Sequence, residues 1–372
     1  MASVKIANVF KYYYSGKKLI NAVNNFNLEI NNGELVSILG PSGCGKSSLM
    51  RMIAGLEQIT MGDIFIDSRN VTNLSPAERN VALAFESYAL YQHFTVKNNI
   101  SFCLETKKVP KDNINERVKN ISQLLGIENI LDVKPSSLSG GQQQLISLAR
   151  ALVRNPSVTL LDEPISHLDT SSRLKMAQKI RLIHSDTGLT MIYVTHNQEE
   201  ALAIADKIAV MDNGELQQVG TRTEILEKPK NIFVANFVGE PPMNLINCKI
   251  VSGSKGVYKA VTEDKLFEAE LTENVVSELK GLNLEDIIVG IRPVDIFEKE
   301  GKNINKKITG NIIYSEFLGE TSIVKINFGE NNILAVLDPS TDFIRGSVFD
   351  LFYNKEKIHF FNPKNQQRID NK

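Results

Sequence analysis

The sequence predicts an α/β domain built on a mostly parallel sheet, followed by a smaller all-β domain. Three observations carry this. Through the first 240 residues, short apolar runs alternate with helical patterns, as a parallel sheet covered by helices requires. The first compact apolar run, LVSILG (35–40), passes at once into glycine-rich sequence. After Gly239 the character changes to short alternating runs separated by turn signals.

Taken in order, LVSILG is a buried strand, and SSLMRMIAGL after the glycines reads as a helix. A helix-rich stretch covers roughly 95–155. It holds NINERVKNISQLLGI and QQQLISLARALV, the latter with Leu145, Leu148, Ala149 and Leu152 at helical spacing. SVTLLDEP (157–164) and LTMIYVTH (189–196) are two further buried strands that end in polar residues. KIAVMDNGEL (207–216) reads as a hairpin around Asn213-Gly214. Glu240-Pro241-Pro242 punctuates the chain, because Pro-Pro cannot continue a helix. This sets the expected boundary: residues 1–240, with a helical subdomain at about 87–155, then 241–372. In the second part DIIVGIRP (286–293) and SIVKINF (322–328), with the turn signal of 328–332, read as strands of a small barrel or sandwich.

Composition narrows the function. At 372 residues, with 42% apolar and 23% charged, the chain is not disordered and has length for two or three domains. Lys+Arg of 42 against Asp+Glu of 43 argues against a strongly basic nucleic-acid binder. No apolar run nears the ~20 residues of a membrane helix, and MASVKIANVFKYYY lacks a signal-peptide core. The expectation is a cytoplasmic protein whose membrane contact comes through a partner. Cys44, Cys103 and Cys248 are odd in number and far apart, so neither a disulfide framework nor a zinc site is expected.

Three motifs carry chemistry. Residues 40–47, GPSGCGKS, fit GxxxxGK[ST] fully: Gly40, Pro41, Ser42, Gly43, Cys44 and Gly45 form a loop whose N–H groups wrap phosphates. Lys46 reaches the β- and γ-phosphates, and the Ser47 hydroxyl ligates Mg²⁺. The helix that starts there aims its dipole at the same anion. Asp162 and Glu163 end an apolar strand, where one acid can serve the Mg²⁺ shell and its neighbour can activate water. Because open parallel sheets place sites at strand carboxyl ends, 39–47 and 162–163 should converge. Leu138-Ser139-Gly140-Gly141-Gln142 is either a flexible loop with an N-cap or a second phosphate-binding surface.

The order of these motifs, followed by His196 after another strand, resembles ATP-binding-cassette ATPases over the first 240 residues. ESYALYQHFTV (86–96), DEPISHLD (162–169) and VTHNQEEALAIADKIAVMDNGELQQVG (194–220) are similar to the importer ATPases for carbohydrates, such as maltose and glycerol-phosphate systems. VGEPPMNLI (238–246), GIRPVDI (290–296) and EFLGET (316–321) resemble that subgroup's OB-like C-terminal regulatory (TOBE) domain. The resemblance implies an α/β P-loop NTPase fold with antiparallel β and helical subdomains. It implies ATP and Mg²⁺ as cofactors, with Gly43, Gly45, Lys46, Ser47 and Ser48 at the phosphates and metal. Tyr13 matches the residue that stacks on adenine, with Tyr12 and Tyr14 as alternatives. Glu163 matches the general base and His196 the γ-phosphate contact. Ser47, Asp162 and Glu86 are the implied metal residues. Ser139, Gly140, Gly141 and Gln142 match the signature that acts on a second subunit's nucleotide. Asp169 lies in the loop that crosses that interface and can also cap a helix.

The same resemblance implies a homodimer or heterodimer of ATPase subunits at the cytoplasmic face of the membrane. Two transmembrane permease subunits would hold it there, and a solute-binding protein would act from outside. Tyr88, Leu90, Tyr91 and Phe94 form either the surface that grips the permease or part of the core. A soluble ATPase acting on ribosomes or DNA, and a weakly hydrolysing heterodimer partner, are the alternatives. The chain departs from the family pattern in three places. Glu86 stands where glutamine is usual, Gln143 and Leu145 where arginines are usual, and Gln92 where proline is usual. Glu86 keeps a hard oxygen ligand but loses an amide donor and adds negative charge.

Overall fold

A computed structural model describes residues 2–16, 18–252, 257–282, 284–302 and 304–369. The chain divides into two compact units, Met1–Thr223 and Glu224–Lys372.

The first unit opens with β1 (Val4–Ser15) and β2 (Lys18–Ile30). Then β3 (Leu35–Leu39) leads into α1 (Lys46–Ala54), and β4 (Met61–Ile66) and β5 (Arg69–Asn70) follow. An antiparallel sheet of order β2-β1-β4-β5 results. Next come β6 (Val81–Ala84), the helices α2 (Val96–Thr106), α3 (Lys111–Leu125) and α4 (Gly140–Leu152), and β7 (Val158–Asp162). The unit closes with α5 (Thr170–Thr187), β8 (Thr190–Thr195), α6 (Gln198–Ile204), β9 (Lys207–Asp212) and β10 (Glu215–Gly220). The main sheet has the order β10-β9-β3-β8-β7-β6, parallel except for the terminal β9–β10 hairpin. That hairpin turns at Asn213 (φ 46°) and Gly214 (φ 82°), the two positive-φ positions its Asn-Gly dipeptide anticipates.

β3 and β8 are buried along their whole length, which is why they read as unbroken apolar runs. Alternation still sorts their side chains into two cores. Leu35, Leu161, Met191 and Tyr193 pack toward the helical region, and Val36, Ile38, Leu160, Ile192 and Val194 pack toward α1 and the antiparallel sheet. In register, Leu39 lies beside Thr195 and Asp162 beside Val194. The strand ends therefore deliver residues 40–47, 162–163 and 196 to one edge of the sheet.

The second unit holds α8 (Ile232–Phe237); α7 (Arg222–Glu227) spans the point of division. Its first sheet is β13-β12-β11-β14-β20, built from β11 (Asn244–Ser252), β12 (Tyr258–Val261), β13 (Glu268–Glu270), β14 (Asp286–Ile291) and β20 (His359–Phe361). The second is β15-β19-β16-β17-β18, from β15 (Ile296–Phe297), β16 (Ile304–Phe317), β17 (Ser322–Phe328), β18 (Asn331–Leu337) and β19 (Val348–Asn354). All pairings are antiparallel. Ile246 and Val289 of one sheet share a core with Val324 and Leu351 of the other.

Two details differ from the sequence expectation. A helix, α9 (Glu273–Leu282), sits among the strands, where Val275 and Leu279 place one apolar stripe in the core. The units also divide before residue 240, because 224–239 packs with the strands that follow. Arg292 donates from Nε to Leu226 O and from Nη1 to Val238 O, both at 2.8 Å, and Ala235 packs with Met243 and Phe361.

Candidate active site

The phosphate loop is shaped by its glycines. Gly45 is the N-cap of α1 with φ 108°, and a Cβ there would lie 2.1 Å from Ala22 O. A Cβ on Gly40 would meet Met211 O at 2.2 Å, so this backbone runs where no side chain fits. Lys46 opens α1, is 4% exposed, and donates from Nζ to Gly40 O (2.8 Å) and Pro41 O (2.9 Å). Ser42, Gly43 and Ser47 are exposed. Cys44 is buried and unoxidised, and burial pushes its thiol pKa up.

Two carboxylates follow β7. Asp162 is half-buried, and its Oδ1 has no hydrogen-bond partner. Burial raises its pKa first, the charges of Glu163 and Glu86 add to this, and Arg51 and Lys46 oppose it. Glu163 adopts φ 44°, a strained conformation for a residue with a side chain, and donates its N–H to Val194 O at 2.9 Å. Its Oε2 lies 2.9 Å from Nδ1 of His196, which leaves the end of β8.

Glu86 is on the loop after β6. Its Oε1 accepts from Ser166 Oγ at 3.5 Å and lies 3.6 Å from His167 Nε2. Ser166 Oγ also donates to Glu163 O at 3.0 Å. Tyr13 donates to Ser48 Oγ at 3.3 Å while Lys11 covers its ring at 4.7 Å. Tyr14 is 79% exposed and Tyr12 packs near Phe10, so Tyr13 is the tyrosine beside the phosphate loop.

The Ser-Gly-Gly segment is a helix cap. Ser139 Oγ accepts from Gln142 N–H (3.3 Å), and Gln142 Oε1 accepts from Ser139 N–H (3.0 Å), a reciprocal capping box on α4. Gly141 faces open space, and a Cβ on Gly140 would come within 3.6 Å of Tyr88 Oη. Among the described residues no hydrogen bond joins 139–142 to 40–48 of the same chain. Asp169 caps α5 by accepting from Ser172 N–H (3.0 Å), and the Ser172 hydrogen bonds hold its carboxyl below the usual range. Gln143 donates to Leu138 O, and Leu145 packs against the core.

Of the aromatic patch, Leu90 packs against the core, while Tyr91 is 43% exposed. Tyr91 stacks near Phe94 and Phe102 and lies under Arg150. Tyr91, Phe102 and Arg150, with Phe85 and Tyr88, line a groove of about 160 Å³. One functional candidate was passed over in the sequence: Glu200, a buried carboxylate bonded to Tyr193 and Thr195. Burial and then Glu200 push the Tyr193 hydroxyl well above its usual range. The available signal was a glutamate on the inner face of α6, four residues after His196.

A model of the ABC transporter family matches residues 23–166. The oligosaccharides import ATP-binding protein of Bacillus subtilis is 38% identical, over 99% of this chain and all of the relative. The chain belongs to the ABC transporter ATP-binding proteins. The trehalose/maltose import ATP-binding protein of Thermococcus litoralis is likewise 38% identical over 99% of the chain. The sn-glycerol-3-phosphate import ATP-binding protein of Cupriavidus metallidurans is 37% identical over 100% of it and 99% of the relative. Among solved structures, the ATP-binding cassette MJ0796, a dimer bound to ADP and Pi, matches with TM-score 0.53 and 32% identity. That match covers 59% of this chain and 98% of the cassette. The P-loop NTPase fold of an ABC ATPase and its capacity to bind nucleotide follow, with an all-β region after it apart from α9. No helix among the described residues is long and apolar enough to cross a membrane.

Proposed function

We propose that this ABC protein is the ATP-hydrolysing subunit of an importer, for sugars or glycerol-phosphate-type solutes. The observation that carries the hydrolytic reading is the Glu163–His196 contact of 2.9 Å, on the sheet edge to which β3 delivers the phosphate loop. The backbone N–H groups of 42–45 and Lys46 bind the phosphates, Ser48 lies beside them, and Tyr13 supplies an aromatic face for adenine. Glu163 takes a proton from the attacking water, and His196 fixes that carboxylate and meets the γ-phosphate.

The residues present fit Mg²⁺. Asp162, at the end of β7, offers a buried oxygen with no protein partner, the exposed Ser47 hydroxyl stands in the first turn of α1, and Glu86 adds a third hard donor. Among the described residues no three acidic, His or Cys side chains close on one metal position, which suits an ion that keeps water and phosphate oxygens. When bound, Mg²⁺ neutralises charge on the β- and γ-phosphates.

Two subunits pair head to tail, so that Ser139, Gly140, Gly141 and Gln142 of one copy complete the nucleotide site of the other. The absence of bonds from 139–142 to the same chain's loop, and the dimeric state of the similar solved cassette, support this. The groove at Tyr91 and Arg150 receives the permease at the cytoplasmic face of the membrane, while the solute-binding protein acts from outside. The names of the full-length relatives support import over action on ribosomes or DNA. The test is phosphate release by the full chain with Mg-ATP. Hydrolysis that survives Glu163→Gln unchanged would remove the basis of this reading.

A further inference from the structure

Glu200 sits in the first turn of α6 with its side chain only 6% exposed. Burying a carboxylate is costly unless its oxygens are satisfied. Here Oε2 accepts from Tyr193 Oη (2.9 Å) and Thr195 Oγ1 (2.8 Å), both on β8. Oε1 faces Arg173 Nε at 3.6 Å, and that nitrogen has no hydrogen-bond acceptor of its own.

Each partner leads to one member of the hydrolytic pair. Thr195 immediately precedes His196, and its Oγ1 also accepts from Asn197 N–H at 3.0 Å. The loop is closed from the other side, where Asn197 Oδ1 accepts from Glu200 N–H at 3.0 Å. Arg173, in the first turns of α5, donates from Nη2 to Leu168 O (3.1 Å) and Ser166 O (3.5 Å). Ser166 in turn donates to Glu163 O. One buried carboxylate thus touches the chain segment that carries His196 and, through Arg173, the segment that carries Glu163.

We propose that Glu200 and Arg173 are positioning residues for ATP hydrolysis. They form a buried brace that holds the exit of β8 and the loop 163–169 in the register at which His196 meets Glu163. The inference rests on the reading of Glu163 and His196 as the hydrolytic pair. Neither Glu200 nor Arg173 touches the reacting atoms. Their effect is on placement, and hydrolysis is sensitive to placement at the scale of an ångström.

The test is a double-mutant cycle on the full chain. Glu200→Gln keeps an oxygen that accepts from Tyr193 and Thr195 but removes the charge facing Arg173. Arg173→Gln removes the same pair from its more exposed side, and it carries the test if Glu200→Gln fails to fold. Each single variant is expected to lower kcat for phosphate release about tenfold, with KM for ATP held within about twofold. The double variant should fall no more than about twofold below the worse single, because either change alone already breaks the Glu200–Arg173 pair. An unchanged kcat, a rise in KM alone, or a double loss equal to the product of the singles overturns the brace. Glu163→Gln is assayed in parallel. If it hydrolyses normally, the reading of the pair is what fails. If it is inactive while Glu200→Gln is normal, only the brace fails.

Discussion

His196 Nδ1 and Glu163 Oε2 stand 2.9 Å apart although 33 residues separate them. The parallel register, with Asp162 beside Val194, brings the ends of β7 and β8 side by side and so places both residues at one strand end. His196→Ala removes the side chain that meets Glu163 Oε2, the one partner of that oxygen among the described residues, and leaves the carboxylate free to rotate. The expected loss in kcat is about a hundredfold, the scale of a misplaced general base. Affinity for Mg-ATP should stay within a few-fold, because the loop of 40–47 is untouched. A wild-type rate of phosphate release would show that the pair does not act in hydrolysis.

Lys46→Ala should abolish tight Mg-ATP binding, whereas Glu163→Gln should retain ATP and accumulate a closed dimer. The ammonium of Lys46 rests on two backbone carbonyls inside the loop, so it is already held where phosphate oxygens would gather. Nucleotide titration separates the first variant, and size-exclusion chromatography with ATP separates the second. Equal ATP affinity in wild type and Lys46→Ala would remove the phosphate loop from the reading.

What could be read from the sequence was what is contiguous in it. The Gly40–Ser47 loop, the Asp162-Glu163 strand end and the Asn213-Gly214 turn each fit in one window, and each sits where its pattern placed it. What escaped depends on partners distant in sequence. Pro241-Pro242 marked a local break, but Arg292, far downstream, claims the carbonyls of Leu226 and Val238 and draws 224–239 into the second unit. The helix α9 was lost among strands because its apolar stripe is short. Glu200 carries no motif of its own, and its burial depends on Tyr193, Thr195 and Arg173, which only the fold brings around it.

The position of the division has a consequence for truncation. The sequence places the cut after Gly239, yet a chain ending there keeps α8 and loses Met243 and Phe361, against which Ala235 packs. A chain ending at Thr223 should remain monodisperse and bind ATP, whereas one ending at Gly239 should associate through the uncovered α8. Light scattering and nucleotide titration on both decide this, and equal behaviour would count against the earlier boundary.

Arg292 offers an independent check within the second unit. It is 7% exposed and bonds two carbonyls of 224–239. Arg292→Ala leaves both acceptors buried and unpaired, at a cost of about 3 kcal/mol or more. Denaturant unfolding of the full chain should show that loss in one transition, with ATP binding by the first unit unaffected. A loss of ATP affinity in parallel would contradict the assignment of this contact to the second unit alone.

Glu86 brings a third carboxylate toward Asp162 and Glu163, and it contributes to the raised pKa of Asp162. Its own oxygen is held by Ser166 and faces His167. Glu86→Gln keeps an oxygen for both contacts, so the loop should not move. The change removes one negative charge from a site that must accept phosphate, and it restores an amide that can donate toward water or phosphate. Repulsion between carboxylates near a surface is about 1 kcal/mol, so the hydrolysis rate should rise by a few-fold at most. The rise should show in kcat, because donation by the amide helps to orient the attacking water. The measurement is steady-state phosphate release at saturating Mg-ATP in the assembled transporter. An unchanged or lower rate would mean that Glu86, with Ser166 and His167 around it, is adapted to this site, and that the carboxylate does not weaken catalysis.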